Sequence, residues 1–513
     1  MRQQCAWRFV ALAAALLLGA ACARLPDGEP EQSFAVTATE DTTLGRDVAT
    51  LAADHPGRSG VHLLGNPRRA FATLLGLADA AERSLDLQYY AWHTDTTGWL
   101  LIHAVWAAAE RGVRVRLLLD DLNTAGKDWV LAALDAHPSI EVRLFNPFPN
   151  RQLRFLDVVR DFLGSNRRMH NKAFIADNQA TVLGGRNIGD SYHGEGAKVT
   201  FADLDVLALG PIVGEVSAQF DQFWNSRFAV PVAAIIRPHR PPPGDYLETR
   251  TAVRLAGSSS LDYARSLDAA VRADPLGTLP LHWGRARLIY DPPEKIAVGR
   301  FASEDLLIPA LMAAMGVPAD RLDIVTPYFV VSEAWAEVFV QWAGRGVDLR
   351  ILTNSLAAND PGIAHAGYVV RRRGLLRGGV QLFELKAGAV DPHLGDEARG
   401  YASSAATLHA KAAAIDGRRL FVGSLNLDQR SAWLNTEMGI VVDNTELARA
   451  LHRVFDERLD AHAYRVVIGA DGRLNWLEAT AEGTIVHDQE PDAGLLRLLG
   501  AGILTILPLD WLL

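Results

Sequence analysis

Cysteine is nearly absent from this 513-residue chain: the only two, Cys5 and Cys22, fall within its first 22 residues. The body of the protein therefore has no disulfide framework and no cysteine-based zinc site. A basic excess is also lacking, since 51 Lys and Arg stand against 60 Asp and Glu, a formal net charge of −9. Broad binders of nucleic acid carry the opposite balance, so nucleic acid is not the expected partner, and any phosphate chemistry must use local positive charge. Long apolar runs are missing too. Residues 9–18 are too few to span a bilayer, and the apolar close at residues 495–513 is interrupted by Arg497, Pro508 and Asp510. What remains is globular in composition, 49% apolar and 22% charged, and long enough for two or three domains.

The amino terminus accounts for the cysteines. Arg2 and Arg8 flank the start of the apolar run, small residues Gly19, Ala20 and Ala21 follow, and Cys22 comes next, which is the pattern of an export signal. It resembles a bacterial lipoprotein signal, which implies that residues 1–21 are removed and that Cys22 is lipidated as the mature first residue. Leu18 lies four residues before that cysteine, where the usual pattern has it three before. Without Arg2 and Arg8, 49 basic residues face 60 acidic ones, a net charge of −11. Ala23 is not the aspartate that usually retains lipoproteins in the inner membrane, so the resemblance implies the periplasmic side of the outer membrane. Residues 22–58 are polar and read as a tether.

Beyond the tether, short β-type runs alternate with helical spacing: strands at 84–90, 113–119 and 141–145, and a helix at 97–111. Such alternation predicts an α/β fold with layers around a largely buried sheet. Consecutive prolines between Arg237 and Gly244 break the pattern. The expected organisation is a first α/β domain at 59–236, a linker and connecting segment at 237–284, and a second α/β domain at 285–513.

The second domain repeats the first. Leu85-Asp-Leu-Gln-Tyr-Tyr90 is echoed 237 residues later by Leu322-Asp-Ile-Val-Thr-Pro327, and Arg111-Gly-Val-Arg-Val-Arg-Leu117 by Arg345-Gly-Val-Asp-Leu-Arg-Ile351 after 234. Folding alone could produce such echoes, because α/β units are generic. It does not require the next one. His170, Lys172, Asp177, Gly184 and Asn187 recur as His409, Lys411, Asp416, Gly423 and Asn426 at identical spacing. Two residues apart on a strand, the histidine and lysine project from one face; the chain then turns at the aspartate and returns to deliver glycine and asparagine beside the histidine. Two ordinary hairpins with solvated polar residues are the bland alternative, which the duplication disfavours.

The duplicated His-x-Lys-x4-Asp pattern followed by Gly-(Gly/Ser)-x-Asn resembles the phospholipase D superfamily. The resemblance implies two pseudo-symmetric α/β sandwich domains sharing one active site, with no metal and no cofactor. It also implies that one histidine attacks phosphorus to form a phosphohistidine, while the other protonates the leaving alkoxide and then activates the acceptor. An imidazole suits both tasks near neutral pH. Lys172, Lys411, Asn187 and Asn426, with Gly185 and Ser424, are the expected phosphate-binding groups. His170 is expected to be the nucleophile and His409 the general acid. Each histidine needs an acceptor on its other ring nitrogen. Glu437, in the run Asp428-Gln-Arg430-Ser431-Ala-Trp-Leu-Asn435-Thr-Glu437, is one such candidate, and Asp203 is the other, with Asp205 in reserve. Asp177 and Asp416 complete each catalytic motif and are expected to stabilise their hairpins.

Several further stretches, among them Tyr89-Tyr90-Ala-Trp92-His93, Asn166-Arg-Arg-Met-His-Asn-Lys172 and Phe201-Ala-Asp-Leu-Asp-Val206, are similar to those of periplasm-facing bacterial cardiolipin synthases. That likeness implies transfer of a phosphatidyl group to phosphatidylglycerol, with phosphatidylethanolamine as donor. Hydrolysis to phosphatidic acid and a phospholipase D-type nuclease are the alternatives within the same chemistry, and a catalytically silent lipid-binding lipoprotein is the alternative outside it. Residues 147–169 mix arginines with large apolar residues and lead into His170. They read either as a surface for anionic headgroups or as an amphipathic helix packed on its own domain.

Overall fold

The structure, a computed structural model, describes residues 25, 31–195, 200–236, 243–267, 269–277, 279–297, 306–359, 362–388 and 406–494. The export signal with Cys22, most of the proline-rich break and the apolar close at 495–513 lie outside the described residues. The strands of the first half are β1 (Ser59–Leu64), β2 (Ser84–Tyr89), β3 (Arg114–Asp120), β4 (Ile140–Phe145), β5 (Ala173–Ala176), β6 (Ala180–Gly184), β7 (Thr200–Ala202), β8 (Asp205–Leu209) and β9 (Ala229–Pro231). Those of the second are β10 (His282–Tyr290), β11 (Arg321–Val325), β12 (Asp348–Asn354), β13 (Gln381–Leu385), β14 (Ala406–Leu408), β15 (Ala412–Ile415), β16 (Arg419–Gly423), β17 (Met438–Asp443), β18 (Ala463–Ile468), β19 (Leu474–Thr480) and β20 (Gly483–His487).

Each half forms a mixed sheet of one design. The first runs β1-β8-β6-β5-β2-β3-β4-β9. The second runs β10-β17-β16-β15-β11-β12-β13-β18 and adds β19 and β20. In both, the three strands that follow one another in parallel are joined through helices, Thr96–Glu110 and Glu333–Gly344 among them. The residues behind the sequence echoes meet in equivalent buried ion pairs. Arg116 grips Asp86 with two bonds of 2.7 Å, and Arg350 grips Asp323 with two of the same length.

The two halves are further joined through one 18-stranded sheet. The start of β10 pairs with β1 (Val61 opposite His282), while its remainder pairs with β17 (Tyr290 opposite Met438). Outer sheet faces are covered by helices of their own half. The inner faces share a single core with the helices Pro211–Trp224 and Thr445–Glu457, in which Val206, Phe220 and Phe223 join Val422, Ile440 and Leu451.

Two stretches depart from the sequence reading. Within the stretch read as a tether, Thr42 caps the helix Thr43–Ala52, whose Leu44 and Val48 are buried. Ahead of it the backbone amides of Ser33 and Ala35 donate to Asn225 and Asp221 at 2.9 Å. The connecting segment holds the helices Tyr246–Leu255, Ser258–Ser266 and Ala269–Ala273, and Leu247, Tyr263 and Val271 complete the core of the first half.

Candidate active site

Both hairpins of the motif are made by the same local device. Asp177 and Asn178 (φ 48° and 52°) and Asp416 and Gly417 (φ 51° and 61°) take the left-handed conformation that these residue types tolerate. The turns close with Gln179 N–H to Ala176 O at 3.0 Å and Arg418 N–H to Ile415 O at 2.9 Å. The Asp177 carboxylate then accepts the amides of Glu82, Arg83 and Ser84, and Asp416 those of Ala319, Asp320 and Arg321. These aspartates thus clamp the entry to β2 and β11, a supporting role that reaches beyond their own hairpins.

His170 and Lys172 lie in the extended run just before β5, and His409 and Lys411 just before β15, so the pairs precede the strands on which the spacing put them. Each run is pinned from two directions. Met169 N–H donates to Asp120 and Leu408 N–H to Asn354, both at 2.9 Å, from the ends of β3 and β12. His170 N–H donates to Thr436 O at 2.9 Å, and His409 N–H to Ala202 O at 2.7 Å, across the boundary between halves.

That crossing decides the partners of the histidines. His170 Nδ1 lies 2.8 Å from Glu437 Oε2 of the second half, and His409 Nδ1 lies 2.5 Å from Asp203 Oδ2 of the first. A carboxylate on Nδ1 fixes the tautomer that leaves Nε2 unprotonated and directed away from the carboxylate. Glu437 is itself held by the hydroxyls of Ser424 at 2.5 Å and Ser431 at 2.8 Å. Ser424, expected at the phosphate, therefore serves the carboxylate. Its counterpart Gly185 does so by omission, because a side-chain carbon there would run into the Asp203 carboxylate. Asp205 pairs with Arg186 instead and takes no part in holding a histidine.

Lys172 and Lys411 are each 1% exposed. Lys172 Nζ bonds His170 O at 2.6 Å, and Lys411 Nζ bonds His409 O and approaches His409 Nδ1 to 3.0 Å. Among the described residues neither ammonium forms an ion pair with a carboxylate. Asn187 accepts from Ala91 N–H at 3.2 Å and donates to the Tyr192 hydroxyl at 3.0 Å, while the Oδ1 of Asn426 is buried without a partner.

Two buried cations beside two histidines set the electrostatics. Burial, reinforced by Lys172 and Lys411, holds His170 well below the usual imidazole range. Burial and Lys411 pull His409 down to about 4, against the raising effect of Asp203. Burial lowers Lys411 to about 8 and lowers Lys172 as well. Burial raises Glu437. Asp203 is depressed despite its burial, because His409, Lys411 and Arg186 outweigh it. An anion entering between the lysines reverses the main charge effect on both rings and raises their proton affinity.

Sequence reasoning overlooked the aromatic walls. Tyr90 meets His170 edge-on at 4.9 Å, while Tyr192 and Phe201 meet His409 at 5.3 and 5.1 Å. Asp120 and Asn354 were equally silent, although they stand at the same 234-residue offset as the Arg-Gly-Val echoes. In the flank before His170, Arg151 and Arg154 turn inward to Asp121, while Leu153, Phe155, Val159, Phe162 and Leu163 face outward. Leu156 and Phe148 are buried on the domain, so the segment packs by a narrow apolar edge and leaves the larger apolar face exposed.

Two like halves, each bringing a His-x-Lys pair to one buried cationic site, define a phospholipase D-type protein. A family model described as "Cardiolipin synthase, PLD-like domain" matches residues 74–224 and 308–459, more than half of the chain. The chain belongs to that cardiolipin synthase, phospholipase D-like family. It is 41% identical over 472 residues to cardiolipin synthase C of Escherichia coli (strain K12), covering 92% of this chain and 99% of that one. It is 23% identical over 438 residues to cardiolipin synthase A of Salmonella newport (strain SL254), covering 82% and 74%. Among solved structures, a phosphatidylserine synthase from Haemophilus influenzae Rd KW20 shares the fold, with a TM-score of 0.55 at 14% identity over 90% of this chain and 96% of that one.

Proposed function

We propose that this protein is a phosphatidyltransferase that makes cardiolipin, moving a phosphatidyl group from phosphatidylethanolamine to the free hydroxyl of phosphatidylglycerol. The observation that carries the reading is the pair of buried lysines that, among the described residues, form no ion pair with a carboxylate, beside two carboxylate-held histidines. Buried unpaired cations are costly, and a phosphodiester anion between them relieves that cost. The relative of that name in Escherichia coli, matched along almost its whole length, supports the lipid substrates.

His170 Nε2 attacks the donor phosphorus, and the bond to the ethanolamine oxygen breaks as His409 supplies that oxygen with a proton. The phosphatidyl group is then held on His170. His409 next takes the proton from the phosphatidylglycerol hydroxyl, whose oxygen displaces His170 from phosphorus and completes cardiolipin. Lys172, Lys411 and the Asn187 and Asn426 amides stabilise the charge on the phosphoryl oxygens. The assignment follows the resemblance to phospholipase D enzymes and is supported by the Asp203 carboxylate on His409 Nδ1, held anionic by His409, Lys411 and Arg186, which stabilises an imidazolium there.

The outward apolar face of residues 153–163, with Phe155 59% and Val159 72% exposed, supports contact with a lipid surface beside the site. We also place the protein on the periplasmic face of the envelope, anchored through Cys22, with the outer membrane favoured by Ala23; an accessory protein is not assigned.

Incubating the full-length protein with vesicles of phosphatidylglycerol and phosphatidylethanolamine, and separately with single-stranded DNA, tests the reading by mass spectrometry. Cardiolipin is the expected product. Phosphatidic acid alone would replace transfer by hydrolysis, and shortened DNA without cardiolipin would overturn the lipid reading.

A further inference from the structure

The pseudo-symmetry breaks in the outer helix layer. In the first half the helices Pro67–Ala80 and Thr96–Glu110 pack on each other, with Leu74, Leu75, Leu101 and Val105 buried beneath them. Their counterparts in the second half, Leu307–Met315 and Glu333–Gly344, border a cavity of about 120 Å³ that opens to solvent. Met312, Trp335 and Phe339 line it from the helices, and Ile324 and Ala413 from the sheet.

Ala412 and Ala413, the residues that follow Lys411, form part of its wall. Asn426, the motif asparagine, also lines it, 8% exposed, with its buried Oδ1 unpartnered, whereas the equivalent oxygen of Asn187 accepts a backbone amide. Most of the remaining lining is apolar. Such a lining, reached from the motif residues, suits the hydrocarbon of a lipid whose polar head stays with the motif.

We propose that the cavity holds a long-chain acyl group of the glycerophospholipid whose phosphate occupies the site between the lysines. The inference rests on the phospholipid reading above and deepens it. Met312 and Ala413, on opposite walls of the cavity, then limit the length of chain that it accepts.

The test is photolabelling with phosphatidylglycerol that carries a diazirine near the end of one acyl chain, using the full-length protein and its Ala413→Trp and Met312→Trp variants. Labelled peptides are expected from Leu307–Met315 and Glu333–Gly344, reduced about tenfold or more by either substitution. Cardiolipin formation from dioleoyl lipids should fall by a similar factor, with turnover of dihexanoyl lipids kept within about twofold as evidence of an intact fold and site. Should Ala413→Trp fail to fold, Met312→Trp decides alone. Labelling confined to other segments, as when residues 495–513 fill the space, overturns the proposal, as does labelling unchanged by both substitutions. If the cavity is labelled while no phospholipid is turned over, the cavity stands and the transferase reading falls.

Discussion

The two halves of this chain share a strand order, a hairpin turn and a buried Asp–Arg pair, and they differ in the shell around each histidine. In one shell a long carboxylate, Glu437, is held by two serine hydroxyls; in the other a short carboxylate, Asp203, lies against a glycine. The first shell faces His170 and the second His409. Duplication thus preserved the scaffold and the reacting groups, while the groups that tune their proton affinity diverged. Near-identical side chains acquire separate tasks through their neighbours, as required when one must stay neutral and attack while the other must carry a proton.

Removing either reacting ring breaks the comparison most severely. His170→Ala and His409→Ala are each expected to lower cardiolipin formation by about 10⁴-fold or more. A phosphatidyl p-nitrophenyl ester, whose leaving group departs without protonation, separates the roles. His409→Ala should accumulate a covalent phosphoenzyme and His170→Ala none; the opposite pattern would exchange them.

The crossed carboxylates come next. Glu437→Gln and Asp203→Asn should each lower kcat by about 10² to 10⁴-fold, with the protein still folded by circular dichroism. On the same ester, Glu437→Gln should slow phosphoenzyme formation, and Asp203→Asn its discharge to the acceptor hydroxyl. If both variants slow the same step, the division of labour between the shells is wrong.

The smallest effect concerns pH. Lys411, lowered to about 8, is charged below that value and neutral above it. Loss of its cation should make kcat/KM fall on the alkaline side, by up to about tenfold per pH unit above 8. Lys411→Arg stays protonated throughout, so its profile, though lower overall, should remain flat there. An alkaline limb that persists in this variant would have to come from another group.

Much of this was legible because polar residues repeated at fixed spacing without any need of folding. The His and Lys positions, the hairpins and the α/β alternation all follow from residue types and intervals. The crossing was not legible, because distance along the chain does not say whether Glu437 reaches His170 or His409. The helix Thr43–Ala52 was missed because ten residues with only Leu44, Gly45 and Val48 buried look polar until they meet a surface. In the flank before His170, counting arginines suggested a cationic surface. Asp121, far away in sequence, takes Arg151 and Arg154 inward, while Leu153, Phe155, Val159, Phe162 and Leu163 stay outside. The cavity arises from the spacing of two helices and has no sequence signature of its own.

The shared sheet constrains how lipid can arrive. Because β10 is stitched to β1, β7 to β14, and each histidine to a backbone carbonyl of the opposite half, the halves cannot open like a clamshell without dismantling both acid–base groups. Substrate therefore has to reach the two histidines with the halves already locked around them.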